Sequence, residues 1–360
     1  MAPELKLPVM SQWALGIERQ LPARTTLAAF YMGSHTSNVL RSRNINAPIC
    51  PEQANCINSP RPDPTLGNVF QYEATGSQDQ NRLMINIRSA FRPGMNLFAN
   101  YTLGFVNGDS DGSGTFPGYS YDLGDEYGRA SFDVRHNFVI GGNFSFPWSV
   151  SVSPFIVASS GRPFNITRGI DTNGDLLFTE RPTFLELGRA CLQRNLSTSY
   201  CDVSGEDPAA IIPRNYGDAP GFFSVNLRLS KNFGFGSTAQ TAAAPQGAGG
   251  QQGAGGFGGG RGNRGGGRGP GGGGGGRGGG GGGFFGGNEV RRPYNLNLGI
   301  SFNNLFNTVN YGLPIGNISS GRFGQSTSTT GGFNFGGGGG GGGGGGSANR
   351  RIELQARFSW

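Results

Sequence analysis

Lysine is almost missing from this chain: of 29 basic residues only Lys6 and Lys231 are not arginine. Histidine is nearly missing too, with His35 and His136 alone. That leaves no ligand set for a zinc site, which needs closely spaced Cys and His. Charged residues make up 14% of the 360 and hydrophobic ones 35%. Both values are low for a soluble domain with an ordinary core, where roughly a quarter of residues carry charge. No apolar run reaches the ~18 residues of a membrane-spanning helix. The opening MAPELKLPVM has no apolar segment of signal-peptide length, so any export signal is expected outside this chain.

What is present is alternation. The last residues, RRIELQARFSW (350–360), set Ile352, Leu354, Ala356, Phe358 and Trp360 on one face and Arg351, Glu353, Gln355, Arg357 and Ser359 on the other. The same period of two recurs over 11–21, 25–33, 81–91, 96–105, 133–146, 148–159, 221–233 and 294–304. These nine segments predict an all-β protein, and no comparable segment shows an apolar period of 3.6.

Short turns and long loops alternate between the segments. PAR (22–24), RPGM (92–95) and the break at Pro147 are tight; 35–80, 107–132, 160–220 and 306–349 are long. That order fits an up-and-down meander with short turns at one edge and long loops at the other, rather than the crossings of a soluble sandwich. The polar faces are rich in Asn, Ser, Arg, Glu and Gln, while Trp13, Phe91, Phe146, Trp148, Phe233 and Trp360 gather near strand ends. Apolar bands of about ten residues flanked by aromatics describe an antiparallel transmembrane β-barrel. A bilayer demands such a design because every backbone polar group within it must be paired by protein. A soluble ligand-binding β-sandwich is the rival fold.

Three local features carry further expectations. Cys50/Cys56 and Cys191/Cys201 close short loops and read as two disulfides of an oxidising compartment. DTNGD places Asp171, Asn173 and Asp175 at alternate positions, like the first half of a calcium loop. Leu176 stands where an EF-hand has glycine, and Glu180 is near but out of register, so an ordinary polar loop tip is the competing reading. The glycine tract around Arg261, Arg264, Arg268 and Arg277 has few aromatics, which argues for an unstructured insert and against nucleic-acid binding. A second tract, 336–346, is glycine throughout and reads as a flexible surface loop. No nucleophile with a nearby base is evident, so the chain is not expected to be an enzyme.

Several stretches together resemble TonB-dependent outer-membrane receptors of the Oar-like type. They are RPDPTLGNVFQYEATG (61–76), SFDVRHNFVIGG (131–142), SPFIVASSGRPFNIT (153–167), DTNGDLLFTERP (171–182), RNYGDAPGFFSVNLRLSKNFGFG (214–236) and LGISFNNLFNTVNYG (298–312). The resemblance implies a C-terminal part of a barrel of about 22 strands. It also implies a terminal strand, with Phe358 and Trp360, that the barrel-assembly machinery reads. The N-terminal plug and the segment that contacts the TonB complex are not recognisable, so the chain resembles a fragment. The expected organisation is barrel strands and extracellular loops over 1–233, a periplasmic Gly/Arg-rich insert over 234–292, and C-terminal strands over 293–360. The implied function is uptake of an unidentified small ligand across the outer membrane. A non-transporting structural or adhesive barrel is the alternative.

Overall fold

The computed structural model describes residues 5–49, 59–236, 294–330 and 349–360. Its elements are β1 (Val9–Leu21), β2 (Thr25–Asn44), β3 (Phe70–Arg92), β4 (Met95–Gly108), β5 (Gly128–Arg129), β6 (His136–Phe146), β7 (Val150–Ser159), β8 (Pro163–Phe164), α1 (Phe184–Gln193), β9 (Gly217–Asp218), β10 (Phe222–Phe235), β11 (Tyr294–Asn303) and β12 (Arg351–Ser359). Nine long strands pair antiparallel in the order β1-β2-β3-β4-β6-β7-β10-β11-β12, with the two-residue β5 alongside β4. Each long strand pairs with its neighbours in chain order, so the sheet is an up-and-down meander, a partial barrel that is not closed. Among the described residues β1 and β12 each have one unpaired edge.

The register brings the apolar sets into line. Leu15 faces Tyr31, Tyr31 faces Leu83, and Leu83 faces Leu103. Farther along, Val152 faces Leu229, Leu229 faces Ile300, and Ile300 faces Leu354. A slip by one residue would turn an entire strand over, so this pattern locks the pairing. The resulting apolar face is open: Leu15 is 74% exposed and Leu354 80%. The opposite face buries polar side chains, among them Asn226, Ser224, Ser301 and Asn303. The sheet is thus inside-out relative to a water-soluble one.

Two glycines mark where the fold needs room or a tight turn. Phe98 and Phe155 lie 6.3 Å apart, centroid to centroid. Gly141, paired with both, leaves the room: a Cβ there would sit 2.6 Å from the Phe98 ring. At the tight end, Pro93-Gly94 joins β3 to β4, and Gly94 has φ of +77°, as the third position of a type II turn requires.

Two expectations are corrected. The loop expected over 35–80 spans only 45–69, because β2 and β3 run on to 20 and 23 residues. About 9–11 residues cross a bilayer, so both strands project well past an apolar band. Their outer parts, HTSNVLRSRN and QYEATGSQDQ, lack alternation because neither face there needs to be apolar. A bulge at Ser37 to Arg41 marks the transition, with Asn38 at φ +57°. The second correction is α1, a helix inside the loop 160–220 of a chain read as free of helical periodicity. Phe184, Leu187, Ala190 and Cys191 are its buried stripe, and Thr183 and Glu186 form a complete capping box at its start.

The glycine-rich insert expected over 234–292 begins later, because residues 234 and 235 still belong to β10, and from 237 on it lies outside the described residues. The strands flanking it pair directly, Phe235 opposite Tyr294. The expected disulfide Cys50–Cys56 and the run 336–346 also lie outside the described residues.

Candidate functional site

The connections after β2, β4, β7 and β11 leave from one end of the sheet, and their described parts pack together. The segment between β7 and β10 builds a small hydrophobic core of Phe164, Ile166, Phe184, Leu187, Ile212 and neighbours, to which Phe323 is supplied by the segment after β11. Arg194 fastens the two segments, donating from Nη2 to the Ile318 and Ser320 carbonyls at 2.8 Å each. The expected disulfide Cys191–Cys201 is present, tying the end of α1 to the next turn with Cα atoms 5.8 Å apart.

A second part of the cluster is polar. Asn46 donates to the Asp63, Leu66 and Gly67 carbonyls and so folds the segment after β2. Arginines pair inward: Arg41 with Asp109 at 2.7 Å, Arg43 with Glu73 at 2.6 Å, Arg181 with Glu126 at 3.0 Å, and Arg214 with Asp111. Arg61 reaches across to donate to the Gly174 carbonyl at 2.8 Å. Buried pairs of this sort add little net stability but are costly to break on one side. They fix which loop meets which. By contrast, Arg82, Arg88 and Arg228 on the polar sheet face have no ion-pair partner among the described residues.

Clefts open between the loops. One of about 440 Å³ is lined by Tyr127, Arg129, Tyr200, Arg214, Tyr216 and Asp218. Tyrosines and arginines around a cleft of this size suit a small ligand with polar or anionic groups. Burial raises both Tyr127 and Tyr216 above the usual phenol range, with help from Asp79 for Tyr127 and Glu206 for Tyr216, so both act as neutral phenols. A cleft of about 260 Å³ beside it is lined by Tyr119, Asp122, Asp125, Arg168, Glu180 and Arg181.

Of the residues singled out in DTNGD, the fold brings Asp171 and Asp175 together with Glu180, their carboxylate oxygens within 4.8 Å of one another. Asn173 is used differently. Its Oδ1 accepts from the Asp175 amide at 2.9 Å and its Nδ2 donates to the Gly118 carbonyl. Burial, chiefly, pushes the Asp175 carboxyl up to about 6; the Leu177 amide opposes this, while Glu180 and Asp171 add to it. Glu180 was visible in the sequence but out of register with a known loop, because the chain turns back after Leu177.

At the other end of the sheet, Phe358 stacks on Tyr294 at 6.2 Å and lies tilted against Trp360 at 5.9 Å. Trp148, in the β6–β7 turn, is 86% exposed at the same level of the fold. Together these rings form an aromatic rim below the apolar band, where the interface of a bilayer would lie.

Comparison with known proteins decides the setting. A family model described as "Outer membrane beta barrel domain" matches residues 1–243. The chain belongs to this family. No curated protein matches the chain. Among solved structures, the outer membrane transporter YddB from Escherichia coli is similar at 10% identity and a TM-score of 0.41, over 85% of this chain and 30% of that one. The ferric-catecholate import receptor Fiu from E. coli K12 is similar at 11% identity and a TM-score of 0.39, over 89% of this chain and 26% of that one. The chain therefore spans under a third of the length of either. As an outer-membrane barrel, this protein turns its exposed apolar face to lipid, its polar face to the lumen, and its packed loops to the side opposite the aromatic terminus.

Proposed function

We propose that this barrel chain is the C-terminal segment of an Oar-like TonB-dependent receptor, which takes up a small ligand across the outer membrane. The observation that carries the reading is the loop cluster: a ligand-sized, Tyr- and Arg-lined cleft stands at one end of a polar lumen face. The quoted motifs support the family subtype. The open edges of β1 and β12 support a longer barrel, since unpaired backbone is untenable in hydrocarbon. In this reading additional strands pair with those edges, and a plug in the N-terminal part couples to the TonB complex. Phe358 and Trp360 are the rim read by the assembly machinery, and the Gly/Arg-rich insert between β10 and β11 faces the periplasm.

The test is the mass of the native protein. An antibody raised against the α1 segment should detect, in native outer membranes, a species far above the 37.7 kDa of this chain. Its ligand uptake should also stop when the proton-motive force is collapsed. A single native species at 37.7 kDa would remove the receptor reading.

A further inference from the structure

The three carboxylates Asp171, Asp175 and Glu180 carry three formal negative charges in one small space, and no arginine among the described residues pairs with them. Arg61 is spent on the Gly174 carbonyl, Arg168 on Glu186 at 3.0 Å and Arg181 on Glu126. Their hydrogen bonds come from the loop itself, from backbone amides and from the Thr172 hydroxyl, which donates to Glu180 Oε1 at 3.4 Å. Asp171 accepts from the Gly174 and Leu176 amides, Asp175 Oδ1 from the Leu177 amide, and Glu180 Oε1 from the Thr172 and Asn173 amides. This leaves Asp175 Oδ2 and Glu180 Oε2, both fully shielded from solvent and both without a hydrogen-bond partner among the described residues. Asp175 is 0% exposed and Glu180 7%. An unpaired carboxylate oxygen in a buried site costs several kcal/mol unless a charge neutralises it. Two such oxygens in a cluster of three carboxylates call for a neutralising charge, which a bound cation supplies.

We propose that Asp171, Asp175 and Glu180 bind a calcium ion that locks the extracellular loops together. The donor set is oxygen only, which suits a hard cation and excludes soft transition metals as the preferred occupant. Calcium rather than magnesium follows from the three protein carboxylates, since magnesium is usually held through one or two carboxylates and keeps most of its water. The location gives the ion its role. The segment 171–180 is gripped from two other loops: Arg61 and Asn68 hold the Gly174 and Asp175 carbonyls at 2.8 and 2.5 Å, and the Gly118 and Pro117 carbonyls receive Asn173 Nδ2 and Thr179 Oγ1. A cation that fixes 171–180 therefore ties three loops together, two of which line the tyrosine-rich cleft. This holds whether or not the barrel transports a ligand.

The experiment uses the full protein extracted from outer membranes into detergent, stripped with EDTA, and equilibrated with radioactive Ca²⁺. The expected result is one ion bound per chain with half-saturation at about 10⁻⁴ to 10⁻³ M, the range of extracellular calcium modules. Asp175→Asn and Glu180→Gln should each weaken binding by at least about tenfold, because affinity follows the ligand charge count. Calcium should slow trypsin cleavage after Arg168 in the wild type and leave the variants unaffected. In EDTA, Asp175→Asn should resist trypsin at least as well as the wild type, since it removes a buried uncompensated charge; that separates lost binding from lost folding. If the variants do not fold, saturable binding to the wild type with protection at the Arg168–Gly169 bond still supports the site. No saturable Ca²⁺ binding by the wild type up to about 10 mM, or variants that bind as the wild type does, would overturn it.

Discussion

Leu229 and Ser230 are adjacent in β10, yet the fold assigns them to different solvents. Leu229 lies in register with Val152 and Ile300 on the open apolar face, midway between Phe223 and Phe235. Ser230 lies between Ser151 and Gly299 on the polar face. An arginine on the lipid face of a barrel costs about 2–4 kcal/mol at the bilayer midplane and about 0–1 near the interfaces. Leu229 is placed by its flanking aromatics near the midplane, so Leu229→Arg should cost about 2–4 kcal/mol, a fall of roughly 30- to 1,000-fold in the folding equilibrium. Ser230→Arg enters a watery space with Gly299 opposite and Arg228 two residues away. Its cost should stay under about 1 kcal/mol, as for other surface changes. Both variants are to be unfolded by urea from phospholipid vesicles, with the folded fraction read by heat-dependent gel migration. Equal costs for the two, or a larger cost for Ser230→Arg, would refute the assignment of faces.

Three further outcomes follow from the loop cluster and the terminus. Leu187→Ala removes a fully buried side chain from the loop core and should cost that unit about 2–5 kcal/mol; faster protease cleavage within 160–221, with the strands unaffected, is the measurement. Replacing Cys191 and Cys201 together by serine should destabilise the same unit by about 3 kcal/mol, the loop-closure value for a ring of that size. The assay is the same cleavage rate, and an unchanged rate would refute the expectation. Trp360→Ser should slow insertion into the outer membrane while leaving the refolded stability within about 0.5 kcal/mol, as expected for an exposed ring at a chain end. Pulse-chase of heat-modifiable protein separates the two effects.

The strands were legible because a bilayer imposes one simple rule on them. Each apolar set, from Leu15 and Ile17 to Ile352 and Leu354, alternates with a polar one, and the observed register joins these sets across the whole sheet. The rule stops where the bilayer stops. Beyond Ser37 and before Asn81 the strands continue in polar sequence, held by ladder hydrogen bonds and by pairs such as Arg43–Glu73 that leave no periodic trace. Helix α1 was hidden by its brevity, although the Thr183–Glu186 capping box following Pro182 was a readable start signal. The acidic cluster was half legible. Asp171 and Asp175 stood out by spacing, whereas Glu180 joins them only through a turn in which Leu176 and Phe178 adopt positive φ.

The most direct test of the account is a nitroxide scan of β11, which has a paired neighbour on each side. Single labels at positions 296 to 302, in protein reconstituted into vesicles, are probed with oxygen, which concentrates in lipid, and with an aqueous nickel chelate. The account predicts that Leu296, Leu298, Ile300 and Phe302 are oxygen-accessible, while Asn297, Gly299 and Ser301 answer to nickel, alternating without a break. Uniform accessibility to nickel along the strand, or alternation in the opposite phase, would contradict a lipid-facing barrel wall.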